Sequence, residues 1–493
     1  MIIVLSCGKI ETMYLKRKNV VLSLVFFAIY FIYILIISII IENTIISRDM
    51  IWIMSWIGIV ELLFILWDQY RNSHTIFNLY TIFMALTFLF NYGQFLLWAF
   101  GLHVEDDIST GKILYRSFSY NDAEIFRTQI YYVISMLAIH AGYSLMNTSS
   151  INKVEMLDKK TVIMLPDNVE SRIVFKVSLL FCVIVIPITL IAQVRELLIA
   201  LTYGYGRLYY GEYAASSFTI FDLSHMFFPC LIGLLIGSRY EKKTVRIVYI
   251  IFFIYFVIDL MKGDRGNWFY KLLILSWMHN TFYKRISKRE IITILFGAFG
   301  GLYVIQAIKS VRKSGISLQA VQDALLLQNG NPVINFIAEM GNQFYVDLIV
   351  INKNVFYPFG NTYLLGLLAM VTMKIPALLN IEYIPLSNWF SADFLHISWG
   401  AGFTMIAEAV INFGLLGAPI CLYIWGMISS RILDINRPLV KNSPYGIFVC
   451  ISVSSFFIHM IRNQAHDFFK FGLYGCFPIA FVIAILLNNA KKK

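Results

Sequence analysis

Charge is scarce in this chain. Of 493 residues only 14% are Asp, Glu, Lys or Arg, 59% are hydrophobic, and the mean hydropathy is +0.71. A soluble chain of this length could not hide that much apolar surface, so an ordinary soluble enzyme is excluded. Nucleotide machinery is missing as well. There is no Walker A loop, which disfavours ATP-driven transport. There is no DxD pair to hold a metal against a nucleotide sugar, and no HExxH pair to hold zinc. Cysteine is sparse: Cys182, Cys230, Cys421, Cys450 and Cys476 fall in apolar runs, Cys7 lies in the N-terminal tail, and no CxxC occurs. That spacing speaks against a disulfide framework and against a structural zinc. Neither a metal nor a cofactor is expected. No periodic repeat or low-complexity segment stands out.

What is present is a series of apolar runs of membrane-spanning length. Candidate spans lie at 19–41, 51–67, 76–100, 128–147, 173–194, 220–238, 247–261, 267–283, 291–308, 404–430, 445–461 and 470–489. Barrel strands would alternate in polarity, and these runs do not. The expected fold is all-α, a polytopic integral membrane protein with about 12 transmembrane helices. The first run follows Lys16, Arg17 and Lys18, is too long for a signal-peptide core and lacks a small-residue cleavage site, so it reads as a retained span. Charge then sets orientation. With the N-terminus inside, more than half of the 40 Lys and Arg fall in inner segments, notably RYEKKTVR, YKRISKRE and the C-terminal KKK. The net charge of +11 therefore reads as a positive-inside bias, with both ends cytoplasmic, and not as a nucleic-acid signal.

Three parts follow: 1–308 with spans 1–9, a long outer loop at 309–403, and 404–493 with spans 10–12. Inside the loop, Asn331-Pro332 has the form of an N-cap followed by proline at the first helical position. Asn335, Glu339, Gln343 and Asp347 then recur every four residues, with Phe336, Ile337, Met340, Phe344 and Leu348 on other faces. This pattern predicts an amphipathic helix over 332–351. A second apolar segment, Thr362 to Leu379, contains Lys374 and Pro376. A full crossing there would put KKK outside, so the segment reads as a re-entrant or interfacial helix.

Basic residues on the outer side oppose the usual bias. Lys262 and Arg265 sit in MKGDRGNW, and Lys309, Arg312 and Lys313 have the spacing of one helical face. Arg195 and Arg207 bracket a Tyr-rich loop, and Arg462 and Lys470 flank the last outer turn. The planar fork of arginine suits phosphate oxygens. Arg265, Lys262, Arg312, Lys309, Arg462 and Arg207 are thus candidate pyrophosphate ligands, while any one alone also reads as a snorkelling cation at a helix end. Gly263 and Gly266 permit a tight turn that projects Arg265. In LTYGYGRLYYGEY, Tyr209 and Tyr210 are candidates for stacking on sugar rings, and they suit an interfacial aromatic belt equally well.

The polar anomaly of the chain is SADFLHISWGAGFTMIAEAVINFG, from Ser391 to Gly414. It passes through Gly400 and Gly402 and enters an apolar segment carrying Glu408 and Asn412, four residues apart and so on one helical face. Intramembrane ionisable groups are functional candidates by default. Glu408 could take the proton of a hydroxyl, or could pair with an outer arginine. His396 could orient or deprotonate an acceptor hydroxyl, or be a satisfied structural residue. Glu339 and Asn412 are candidate substrate contacts, although an exposed polar helix face explains Glu339 more simply.

Taken together, the chain resembles the oligosaccharide repeat-unit polymerases, the O-antigen polymerase (Wzy) family. GDRG at 263–266, the AEMGNQF run from Ala338 and above all GAGFTMIAEAVINFG from Gly400 carry the resemblance, and Thr404 stands where the family pattern has serine. The order also fits: many spans, one long outer loop, then this segment. The resemblance implies a lipid-pyrophosphate-dependent glycosyltransferase at the periplasmic face of a bacterial inner membrane. A growing glycan would pass from one undecaprenyl pyrophosphate to a sugar hydroxyl on the next lipid-linked repeat unit, giving O-antigen or a related surface polysaccharide. It implies that Arg265 binds pyrophosphate and that Glu408 belongs to the active centre. The expected partners are the lipid-linked glycan donor and acceptor, the bilayer, and a chain-length regulator and flippase of the same pathway. The nearest rival is an O-antigen ligase using the same donor, and AEAVINFG favours the polymerase. A flippase for the lipid-linked unit is the rival of another class, but it would show repeat symmetry and a central charged path. The geometric expectation is that Glu408, His396, Arg265 and Arg312 line one outward-facing cavity.

Overall fold

The computed structural model describes residues 19–34, 46–104, 120–147, 162–203, 208, 220–262, 266–293, 301, 331–372, 374–397 and 400–492. Among them the regular structure is helical and no strand occurs. In chain order the first helices are α1 (Asn19–Ile34), α2 (Arg48–Ser73), α3 (Leu79–Ala99) and α4 (Asp122–Met146). They are followed by α5 (Val169–Tyr203), α6 (Phe227–Gly237), α7 (Lys242–Lys262) and α8 (Asn267–Met278). The loop segment supplies α9 (Pro332–Met340), α10 (Phe344–Asn352), α11 (Thr362–Ala369), α12 (Lys374–Leu378) and α13 (Leu386–Trp389). The last group is α14 (Met405–Ile432), α15 (Asn436–Val440), α16 (Pro444–His459), α17 (Ala465–Phe471) and α18 (Phe477–Lys491).

Seven segments among the described residues are long and apolar enough to cross a membrane: α2, α3, α5, α7, α14, Pro444–Arg462 and Ala465–Lys491. Helices α1, α4, α6 and α8 coincide with further expected spans but are shorter or more polar. The expected span at 291–308 lies largely outside the described residues. Local sequence starts these helices. Asn121 closes a capping box with Glu124 at the head of α4, its side chain accepting from the Glu124 amide at 2.8 Å. Asn331 accepts from the Val333 amide at 2.9 Å, with Pro332 at the first helical position, as its sequence predicts.

The outer helices expose apolar faces: Trp52 and Val60 on α2, Leu180 and Val183 on α5, Phe253 on α7, Phe481 on α18. Only hydrocarbon is an acceptable solvent for such a belt. Inside it α3 is a pillar buried along nearly its whole length. Helices α4 and α14 are held backbone to backbone by small residues. A side-chain carbon on Gly142 would fall 2.0 Å from the Tyr423 carbonyl oxygen, and one on Gly426 would fall 2.2 Å from that of Ile139. Midway, α14 breaks at Gly414 (φ 65°, ψ −179°), a conformation open essentially to glycine alone. Pro419 has no amide hydrogen for the Leu415 carbonyl, and the Tyr131 hydroxyl donates to that oxygen instead, at 3.2 Å.

The helix expected over 332–351 is two helices joined by a 3₁₀ turn, Gly341–Gln343. The turn sits where backbone meets backbone: a side-chain carbon on Gly341 would lie 2.5 Å from the Gln94 amide nitrogen of α3. The four-residue polar stripe does not face water throughout. Gln343 and Asp347 turn into the bundle and are buried, while Asn335 and Glu339 are half-buried. In a membrane protein the polar face of a helix can be the protein-facing one. The segment Thr362 to Leu379 divides into α11 and α12, of 8 and 5 residues. At 1.5 Å per residue neither approaches the roughly 30 Å of a bilayer core.

Candidate functional site

Three distant parts of the chain meet at the first turns of α14. Thr404 caps the helix, its hydroxyl accepting from the Ala407 amide at 2.9 Å. One turn on, Glu408 is 1% exposed and points into protein, not lipid. Its Oε1 accepts from the Thr362 hydroxyl of α11 at 2.7 Å, and its Oε2 from the Ala465 amide of α17 at 2.7 Å. Asn412, on the same face, accepts from the Thr362 amide at 2.7 Å and donates to the Thr362 hydroxyl at 2.7 Å. The Gln464 side chain accepts from the Ser387 amide at 3.1 Å, and His466 Nδ1 lies 3.1 Å from the Gly366 carbonyl oxygen. Glu408 therefore pins α11 and α17 to α14. Its two oxygens meet a hydroxyl and an amide, not an arginine.

Arg462 lies three residues before Ala465. Its guanidinium is half-buried, 5.7 Å from the centre of the Phe90 ring of α3. A side-chain carbon on Gly266 would sit 2.8 Å from Arg462 Nη1, so the guanidinium rests against the Gly266 backbone. Among the described residues no carboxylate lies within ion-pair distance of Arg462, whose contacts are cation–π and backbone packing. Lys262, four residues before Gly266 in the sequence, differs. It is 5% exposed, and its ammonium is 2.8 Å from Glu196, 2.8 Å from Asp259 and 3.1 Å from Gln193. Its donors are spent on protein groups, and it acts as a tie between α5 and α7. On α8, Lys271 donates to the Tyr255 hydroxyl at 2.9 Å and lies over the Tyr255 ring.

The other expected site residues divide into two groups. His396 is exposed, with a left-handed backbone (φ 53°), on the loop leading to Gly400. Glu339 is half-buried on α9, one turn before Gln343. Arg265, Arg312, Lys309, Arg207, Tyr209 and Tyr210 lie outside the described residues. The expected cavity can therefore be followed only at Glu408 and His396, where the first is enclosed and the second open.

Sequence reasoning passed over Asp347 and Gln343. Asp347 is 2% exposed, and its Oδ1 accepts from the Thr404 hydroxyl. The capping side chain of α14 is thus itself held by α10. Burial in this apolar setting pushes the Asp347 carboxyl up to about 7, against the hydrogen bond from Thr404. The signal was the four-residue polar stripe, which marked both residues without saying which way the stripe faced.

The family model described as O-antigen polysaccharide polymerase Wzy matches residues 20–493, nearly the whole chain. No curated protein and no solved structure matches.

Proposed function

Because the chain belongs to the O-antigen polysaccharide polymerase Wzy family, we propose that it lengthens undecaprenyl-pyrophosphate-linked glycan at the periplasmic face of the inner membrane. The family supplies polymerisation of O-antigen, and the apolar helices supply the membrane. The lipid pyrophosphate, the periplasmic face and the cytoplasmic termini are our reading, supported by the basic inner loops of the sequence.

The observation that carries the reading is Arg462. A half-buried guanidinium with no carboxylate counter-ion among the described residues, lodged between Phe90 and Gly266, is costly unless an anion arrives. A diphosphate provides that anion, and Arg265 adjoins Gly266 in the sequence. In the reaction, a hydroxyl oxygen of the acceptor sugar bonds to the anomeric carbon of the donor glycan. The bond from that carbon to the pyrophosphate oxygen breaks, and the electron pair leaves with the lipid pyrophosphate. Arg462 and Arg265 offset the charge that develops there, as a metal ion would elsewhere. The acceptor proton needs a base. His396 is reachable without breaking a contact, whereas Glu408 must first release Thr362 or Ala465. We assign Glu408 and Asn412 to holding α11 and α17 against α14, and Lys262 to holding α5 against α7.

Purified protein in nanodiscs, given radiolabelled lipid-linked repeat unit, tests the reading. A ladder of lengthening glycan supports the polymerase. Transfer only to lipid A core means a ligase, and a change of sidedness without new bonds means a flippase. Arg462→Ala should lower the elongation rate roughly 100-fold while leaving the thermal midpoint near that of the parent. An Arg462→Ala protein that elongates at the parental rate removes the arginine from the site.

A further inference from the structure

Two acceptor oxygens lack donors beneath the strip that leads into α14. Gln343 Oε1 and Asp347 Oδ2 are both buried, and neither receives a hydrogen bond. The residues are 5% and 2% exposed and stand four apart, on one face at the start of α10. The strip from Ala401 to Thr404 lies across them. At one end the Thr404 hydroxyl donates to the other Asp347 oxygen. In the middle, a side-chain carbon on Gly402 would fall 2.9 Å from Gln343 Oε1, and Gly402 has φ +74°. Only glycine permits both that angle and that approach.

Buried polar groups are almost always partnered, so two orphans on one face under one strip call for an explanation. Gln343 Oε1 can only accept, whereas Asp347 Oδ2 accepts when ionised and donates when protonated, so a hydroxyl, which does both, fits the missing partner. No cationic side chain among the described residues is paired with Asp347. Saccharide hydroxyls are neutral donors that present several O–H groups at sugar-ring spacing, which suits one amide oxygen and one carboxylate oxygen a helical turn apart.

We propose that Gln343 and Asp347 form a subsite for the hydroxyl groups of the acceptor saccharide, reached when the strip from Gly400 to Phe403 lifts from α10. The proposal rests on the polymerase reading above and deepens it by naming where the acceptor is held. Asp347 also holds Thr404, so filling the subsite is felt at the first turn of the helix that carries Glu408. The subsite binds and orients the acceptor and makes no covalent step of its own.

The test uses full-length protein in nanodiscs, with a preformed lipid-linked polymer as donor and a single lipid-linked repeat unit as acceptor. Gln343→Leu keeps the side-chain bulk and removes the acceptor oxygen. It should raise the acceptor KM about tenfold and leave the donor KM and the thermal midpoint unchanged. Acceptor and donor KM rising together with a lowered midpoint would make Gln343 a packing residue and overturn the proposal. Hydrogen exchange on the parent protein supplies a second reading that needs neither a variant nor turnover. The lipid-free repeat-unit oligosaccharide should change exchange at residues 400–404. No change at saturating oligosaccharide, with an unaltered acceptor KM in Gln343→Leu, would mean that water alone fills the orphan positions and would overturn the proposal. A parent protein that makes no ladder but still shows the exchange change fails the polymerase reading and leaves the saccharide subsite standing.

Discussion

Two buried carboxylates bracket the start of α14, and they are treated in opposite ways. Glu408 has a donor on each oxygen, one from α11 and one from α17. Asp347 has a donor on one oxygen and none on the other. The first is a closed joint: remove it and three segments lose their common point. The second is a half-made contact at the edge of a glycine strip. The difference teaches that burial alone does not separate a structural acid from a working one. What separates them is whether the surrounding chain has already used every acceptor position.

Glu408→Ala should show the larger effect. It leaves the Ala465 amide without a partner and the Thr362 hydroxyl without an acceptor for its proton, and should lower stability by about 3 kcal/mol in denaturant melts of the detergent-solubilised protein. Asp347→Ala should cost about 1 kcal/mol, because only the Thr404 contact is lost. Equal losses would erase the distinction. Thr362→Val is intermediate: it removes one donor to Glu408 and one acceptor for Asn412, for about 2 kcal/mol. If the melt does not move, Glu408 is not the joint described.

A further effect is a pH dependence. Asp347 is held at about 7 in the folded protein, above the ordinary carboxylate value. A raised folded value contributes stability that is full below the unfolded value and is lost as pH rises through about 7. The parent should therefore lose about 1 kcal/mol between pH 6 and pH 8. Asp347→Asn should be flatter over that window, and a parallel slope in the variant would assign the titration to another group.

Much of the scaffold was legible in the sequence. Apolar runs marked α2, α3, α5, α7 and α14, because a bilayer demands length and hydrophobicity and little else. The Asn331-Pro332 start of α9 was legible from two residues. The spacing of Glu408 and Asn412 gave their shared face, now seen in their common partner Thr362. Their closure by Thr362 and Ala465 was not legible, because those residues come from 46 and 57 positions away and carry no motif. The same holds for Lys262: its distance from Glu196 along the chain hid a neutralised cation behind the look of a phosphate ligand. Asp347 was hidden differently. A helical polar stripe fixes a face but not which solvent, water or protein, the face meets.

An experimental structure with a lipid-linked repeat unit bound tests the central claim most directly. The diphosphate should lie within hydrogen-bond distance of the Arg462 guanidinium, against Gly266, with Glu408 still joined to Thr362 and Ala465. A diphosphate seated away from Arg462, or a Glu408 released from both partners to face it, would contradict the division of roles between the anion site and the joint.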